Sequence, residues 1–122
     1  MGKLSSRLYE ENEFVDCSKI LSYNGRVIFE WDENKAKANL RKHKIDFDEA
    51  ETVFNDLLLV TFADEFHSIG EEISISIGLS SVNRILLVVH TEVSVNGGEI
   101  SIRIISCRNA TVLERKIYEE QS

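Results

Sequence analysis

The feature that most narrows the possible fold is a run of period-two segments in the second half of the chain. Ile73, Ile75 and Ile77 alternate with Ser74, Ser76 and Gly78. Successive side chains of a strand point to opposite faces, so this pattern predicts a half-buried strand. Arg84–Thr91 is apolar on both faces, which suits a central strand. Asn96-Gly97-Gly98 supplies three residues that tolerate positive φ and predicts a hairpin turn, with Ile100–Cys107 as the return strand. With Leu57–Phe62 ahead of them, these segments make four consecutive strands. Their short connections predict an antiparallel meander.

Helical signals flank the meander. Val27-Ile28-Phe29-Glu30-Trp31 reads as a short strand. Asp32 is then placed as an N-cap, and Glu33 sets a carboxylate where it meets the helix dipole favourably. A helix over 33–43 follows, with Ala36, Leu40 and His43 on one face. Asp46-Phe47-Asp48-Glu49 has the form of a capping box and opens a second helix, 47–55, burying Phe47, Ala50, Val53 and Phe54. Thr111-Val112-Leu113-Glu114 is another, opening a C-terminal helix to Glu120 with Ala110, Leu113 and Ile117 inward. The expected architecture is α+β. A curved four-stranded antiparallel meander, plus a short first strand, carries two N-terminal-side helices and a C-terminal helix on one face. The other face is left partly open for a site. A boundary near Asn24-Gly25 divides an N-terminal appendage, 1–24, from a domain spanning 25–122. In the appendage, 3–12 fits a short helix.

At 122 residues the chain suits one core. Its 14 Lys+Arg against 21 Asp+Glu give a net charge of −7. That balance argues against nonspecific nucleic-acid binding by the whole surface, leaves a local basic site open, and suits a basic protein partner. No apolar run reaches bilayer length and the first residues lack the apolar stretch of a secretory signal, so a cytoplasmic protein without membrane contact is expected. Neither Cys17 nor Cys107 sits in a CxxC or Cys/His cluster. Cys107 ends an apolar run and reads as a buried, reduced thiol. No metal site or cofactor is expected.

Chemistry concentrates in two basic groups. Lys35 to Lys44 contains Lys35, Lys37, Arg41, Lys42 and Lys44 with no acid, and Lys37, Arg41 and Lys44 share a side at helical spacing. Such a face holds RNA phosphates, or is simply solvated and complements acids elsewhere. Arg84, Arg103, Arg108 and Arg115 lie near strand ends. Metal-free RNA cleavage needs a base at the 2′-hydroxyl, stabilisation of phosphorane charge and an acid at the leaving oxygen. Arginines supply the charge, while His67, His90, Glu71, Glu114 and Tyr118 are able to move protons. His67 falls in a polar loop, Ala63–Glu71, where function is often carried. His90 shares a face with Leu86 and Val88, so a hydrogen-bonded structural role competes. Trp31 either stacks on a base or packs before the first helix. Parity adds a condition: Arg103 and Arg108 serve one site only if the strand ends or bulges between them. From these residues alone the function stays open.

Four stretches resemble the BrnT family of toxins. The first is Phe29-Glu30-Trp31-Asp32 leading into Lys35–His43, then Ile45-x-Phe47-x-x-Ala50. The second is Thr61-Phe62-x-Asp64-x-x-His67-Ser68-x-Gly70-Glu71-Glu72. The third runs from Ile77-Gly78-x-Ser80 to Arg84-x-Leu86-x-Val88-Val89-His90-Thr91-Glu92. The fourth is Arg103-Ile104-Ile105-Ser106-x-Arg108-x-Ala110-Thr111-x-x-Glu114-Arg115-x-x-Tyr118-Glu119. The resemblance implies a RelE-like fold and a toxin that cleaves RNA without a cofactor. It also implies neutralisation by a ribbon-helix-helix antitoxin that makes the DNA contacts. Arg108, Arg84, Arg103, His67, Glu71 and His90 then form the candidate catalytic set. Lys37, Arg41, Lys42, Lys44, Trp31 and Arg115 are the candidate RNA contacts. The chain departs from the family at Ile73 and Leu79, where basic residues are usual. A catalytically silent module that binds the antitoxin and supports repression is therefore the competing reading.

Overall fold

The structure, a computed structural model, describes residues 26–64, 72–95 and 98–120. The N-terminal appendage with its expected helix and Cys17, the loop residues His67 and Glu71, and Asn96-Gly97 lie outside the described residues.

In chain order the elements are β1 (Arg26–Glu30), α1 (Glu33–His43), α2 (Phe47–Thr52), a 3-10 turn (Val53–Asn55), β2 (Val60–Ala63), β3 (Ser74–Leu79), β4 (Ile85–Val95), β5 (Glu99–Asn109) and α3 (Val112–Glu120). The sheet order is β1-β5-β4-β3-β2. The meander from β2 to β5 is antiparallel, and β1 joins its edge parallel to β5, pairing from Arg26↔Glu99 to Glu30↔Arg103.

The caps explain the helix starts. The Asp32 carboxylate accepts from the Asn34 and Lys35 amides at 2.7 and 3.2 Å, and Asp46 accepts from the Glu49 amide at 2.8 Å. At α3 the box is reciprocal: Thr111 Oγ1 accepts from the Glu114 amide at 3.2 Å, and Glu114 Oε1 accepts from the Thr111 amide at 2.8 Å. The strand expected to start at Leu57 starts at Val60 instead. Asp56 accepts the Leu58 amide on its side chain and the Leu59 amide on its carbonyl, which turns Leu57 and Leu58 outward.

Both faces of the sheet are packed, which corrects the expectation of helices on one face only. On the first face α2 and the 3-10 turn bury Phe47, Ala50, Val53 and Phe54 against Leu86, Val88, Ile102, Ile104 and Cys107. On the second, α3 lays Tyr118 and Ile117 over Val60, Ile77, Leu87 and Val89. Each fully buried side chain of this size contributes roughly 1.5–3 kcal/mol. Ala110 and Ile117 pack inward as expected and Tyr118 joins them, while Leu113, expected inward, is 69% exposed. Leu40 is likewise 47% exposed, and its buried neighbour Asn39 anchors α1. Pairing with β1 stops at Arg103, so β5 needs other partners beyond it. Asn39 Oδ1 accepts the Cys107 amide at 3.1 Å, and Asn39 Nδ2 donates to the Ile45 carbonyl at 3.0 Å. A buried polar side chain is stable there because its hydrogen bonds are made.

Gly78 marks the tightest approach. A Cβ at this position would lie 2.7 Å from Leu59 Cδ1 and 3.2 Å from Val53 Cβ, so the absence of a side chain lets the 3-10 turn sit directly on β3.

Candidate functional site

One irregularity organises the second face. Along β4 and β5 the register runs Val88↔Cys107, Val89↔Ser106, then His90↔Ile104, so Ile105 is an extra residue in β5. A bulge of one residue reverses side-chain parity. Ile100, Ile102 and Ile104 face the first side before it, as does Cys107 after it. Arg103 and Arg108 consequently emerge on the same, second face, four ladder steps or about 13 Å apart. The doublet Ile104-Ile105, where apolar alternation changes phase, is the mark of this bulge in the sequence.

Arg108 is fixed by α3. Its Nη1 and Nη2 donate to Glu114 Oε1 and Oε2 at 2.8 and 2.9 Å, and Nη1 also donates to the Asn109 carbonyl at 3.2 Å. The Arg108 hydrogen bonds, with those of Thr111, hold the Glu114 carboxyl down at about 2. Arg103 is more loosely held: Nη1 lies 3.9 Å from Glu30, and the side chain is 44% exposed. Glu30 also accepts from Ser101 Oγ at 3.0 Å. Arg103 pairs with Thr91 and the adjacent His90 pairs with Ser74. The described residues on either side of 65–71 meet at the Arg103 level of the sheet, in a base where the Asp64 N–H donates to the Ile73 carbonyl. That base is roughly 10 Å across two strand spacings from Arg103.

Arg84 stands on the opposite, first face. Its Nε donates to Glu49 Oε2 at 3.0 Å and its Nη2 to Glu49 Oε1. Ser80 Oγ donates to Glu49 Oε2 at 2.7 Å. The Arg84 hydrogen bonds lower the Glu49 carboxyl against the opposing effect of burial. The pair clips the β3–β4 turn, with Asn83 left-handed at φ 67°, onto α2. Lys37, Arg41, Lys42 and Lys44 are exposed on α1, also on the first face, where Lys44 ends the helix at φ 62° and its Nζ donates to the Arg41 carbonyl.

Of the remaining candidates, His90, Trp31 and Tyr118 are engaged by other side chains of the protein. His90 is fully buried on the first face, with Nε2 2.7 Å from Ser76 Oγ, which is 2.8 Å from Thr61 Oγ1, and its ring edge-on to Phe54. Burial pushes its imidazole down to about 4, so it is neutral in the folded protein; the nearby Thr91 backbone offsets this only in part. Trp31 packs edge-on against Phe47 with ring centroids 5.8 Å apart, and its Nε1 donates to Glu33 at 3.3 Å. Tyr118 donates its hydroxyl to Asp56 at 2.6 Å. Arg115 is exposed on α3. Cys107 is a free, buried thiol pushed up to about 12 by burial.

The structure therefore turns Arg103 and Arg108 to the second face, which α3, the helix that carries Arg115, also covers. It sets Arg84 and the basic helix on the other and His90 inside. Three pairings are not legible in the sequence: Glu49 and Ser80 as partners of Arg84, and Glu114, a proton-transfer candidate there, as the partner of Arg108. Glu49 and Glu114 start helices, where an acid reads first as a cap.

Residues 31–114, from Trp31 to Glu114, match the model of a family described as the ribonuclease toxin BrnT of type II toxin–antitoxin systems. The chain belongs to this family. Among solved structures, the Brucella abortus ribonuclease toxin BrnT is similar, with a TM-score of 0.50 and 27% identity over 70% of this chain and 97% of that one. No curated protein matches the chain. The α+β fold with its five-stranded sheet and three helices agrees with the RelE-like architecture that the family resemblance implied. Among the described residues no helix is long and apolar enough to cross a membrane.

Proposed function

We propose that this member of the family is a metal-independent endoribonuclease that arrests growth by cutting RNA. The observation that carries the reading is the Ile105 bulge, because it brings Arg103 and Arg108 to one face. Single-stranded RNA crossing β5 meets Arg108 and Arg103 in turn. Arg108 stabilises the phosphorane that forms as the 2′-oxygen attacks, and Arg103, about 13 Å along the strand, holds another phosphate of the same chain. Proton transfer falls to His67 and Glu71. Glu114 is held ionised and the Tyr118 hydroxyl is committed to Asp56. Lys37, Arg41, Lys42 and Lys44 contribute salt-screened attraction from the first face rather than contacts at the scissile bond.

The partner in this reading is a ribbon-helix-helix antitoxin in the cytoplasm, and DNA is contacted only through it. The net charge of −7 suits fast docking of a basic antitoxin, so association slows as salt rises. Residues 1–24 are an appendage to the toxin domain, 25–122. The test is cleavage of RNA by antitoxin-free protein in the presence of a chelator, alongside growth arrest on expression without the antitoxin. Both are expected, and both are relieved by Arg108→Ala. A well-folded chain that neither cuts RNA nor arrests growth overturns the reading in favour of a silent antitoxin-binding module. The loss of basic residues at Ile73 and Leu79 would then be its mark.

A further inference from the structure

A guanidinium carries five N–H donors in a planar fork. In Arg108 the end of the fork is taken by Glu114, one N–H from each terminal nitrogen, and the second Nη1–H goes to the Asn109 carbonyl. Among the described residues nothing takes Nε–H or the outer Nη2–H, two parallel donors along one side of the group, on a side chain 39% exposed. That side edge matches the spacing of two phosphate oxygens. Glu114 is itself immobilised, because its Oε1 also accepts the Thr111 amide at 2.8 Å and its own amide donates to Thr111 Oγ1. The carboxylate is thereby fastened to the first turn of α3 and to the end of β5 at once.

We propose that Glu114 is a positioning residue: by holding the end of the Arg108 guanidinium it presents the Nε/Nη2 edge to a phosphodiester of single-stranded RNA. The proposal rests on the ribonuclease reading of this face and names the group that Arg108 receives there. Two effects of Glu114 oppose each other. Its charge partly cancels that of Arg108 and weakens attraction for a phosphate. Its grip removes rotamer freedom that binding would otherwise cost. Positioning outweighs neutralisation if removing the carboxylate weakens phosphate binding, although the site then becomes more positive. The sign of the effect therefore decides the question.

The probe is a 2′-O-methyl RNA oligonucleotide, which lacks the attacking hydroxyl and is not cut. Its affinity is measured by fluorescence anisotropy for the full chain and for Glu114→Gln, Glu114→Ala and Thr111→Ala, and the Arg108 Nε–H resonance is followed by NMR. Binding is expected to move the Nε–H resonance in the parent chain. Both Glu114 variants are expected to bind about 10- to 100-fold more weakly, the scale of a charge-assisted bidentate contact. Thr111→Ala loses a capping bond but keeps the ion pair, so its affinity stays within about twofold while its melting temperature falls by a few degrees. Unchanged or tighter binding by Glu114→Ala, or an Nε–H resonance that ignores the oligonucleotide, overturns the proposal. If the parent chain cuts no RNA yet its oligonucleotide binding depends on Glu114, positioning stands and the nuclease reading fails. If it cuts RNA and Glu114→Ala binds as well as the parent, the reverse holds.

Discussion

Arg84–Glu49 and Arg108–Glu114 are the same chemical pair, set on opposite faces of one sheet. In the first, Glu49 takes the Nε side of the guanidinium, its own side chain is 10% exposed, and Ser80 adds a third bond. In the second, Glu114 takes the end, its side chain is 22% exposed, and among the described residues the Nε side has no partner. The first ties a turn to a helix that covers the core. The second braces an arginine near the end of β5, on the opposite face. The contrast shows that an arginine is read as a strut or as a receptor from the edge its carboxylate occupies, and no inspection of the residue type supplies that.

The largest effect should separate the pairs directly. Arg108→Ala is expected to reduce RNA cleavage by about 100-fold or more besides the stability it loses with the Glu114 pair, whereas Arg84→Ala is expected to lose stability while cleavage by the folded protein changes little. Glu49 would then be left without its main partner in a mostly buried position. The cost is on the order of 1–3 kcal/mol after allowing for solvent screening of the half-exposed Arg84, readable in urea unfolding. Equal effects of the two substitutions on both readouts would erase the distinction.

Acid titration sharpens the same comparison. His90 is held neutral, with its imidazole lowered from 6.5 to about 4, so its contribution is intact above pH 6.5. It is lost as pH falls from there to about 4, a change of about 3 kcal/mol. The Glu114 carboxyl is lowered from 4.5 to about 2, so its contribution persists down to pH 4.5 and is lost below that. Stability measured between pH 6.5 and 4.5 should thus decline through His90, against a smaller opposite contribution from Glu51, whose carboxyl burial raises, and His90→Gln should flatten that limb. A decline that survives the substitution would place the acid-sensitive group elsewhere.

Smaller effects test how tightly the first face is built. Gly78→Ala forces a Cβ into Leu59 and Val53, and is expected to cost roughly 1–3 kcal/mol in chemical denaturation. Lys44→Gly relieves a left-handed lysine at the end of α1 and is expected to stabilise by about 0.5–1 kcal/mol. Because Lys44 lies on the face away from Arg103 and Arg108, cleavage should change little. A large loss of cleavage would move the RNA path onto α1.

Much of the architecture was legible along the chain, and the reasons are local. Ile73, Ile75 and Ile77 could only alternate as they do in a strand. Asp32, Asp46 and Thr111 satisfied helix amides within three residues of themselves, so the helix starts needed no distant partner. The grouping of Arg103 with Arg108 was half legible, since parity posed the condition and the Ile104-Ile105 doublet carried its answer. The misplacements at Leu40 and Leu113 came from treating apolar residues as inward by default. Asn39 displaced Leu40 because the unpaired edge of β5 offered it hydrogen bonds that a leucine could not make.

The sequence by itself therefore determined the elements, their caps and the family, because these depend on contacts within a few residues or on ordered motifs. Only the tertiary structure decided which arginine faces which side, which carboxylate each one meets, and that His90 is sealed inside. Those outcomes depend on strand register and on pairs 35 or more residues apart, such as Glu49 with Arg84 and Asn39 with Cys107. One inserted residue at Ile105 was enough to set the parity of the whole second face, and no local preference encodes what that parity brings together.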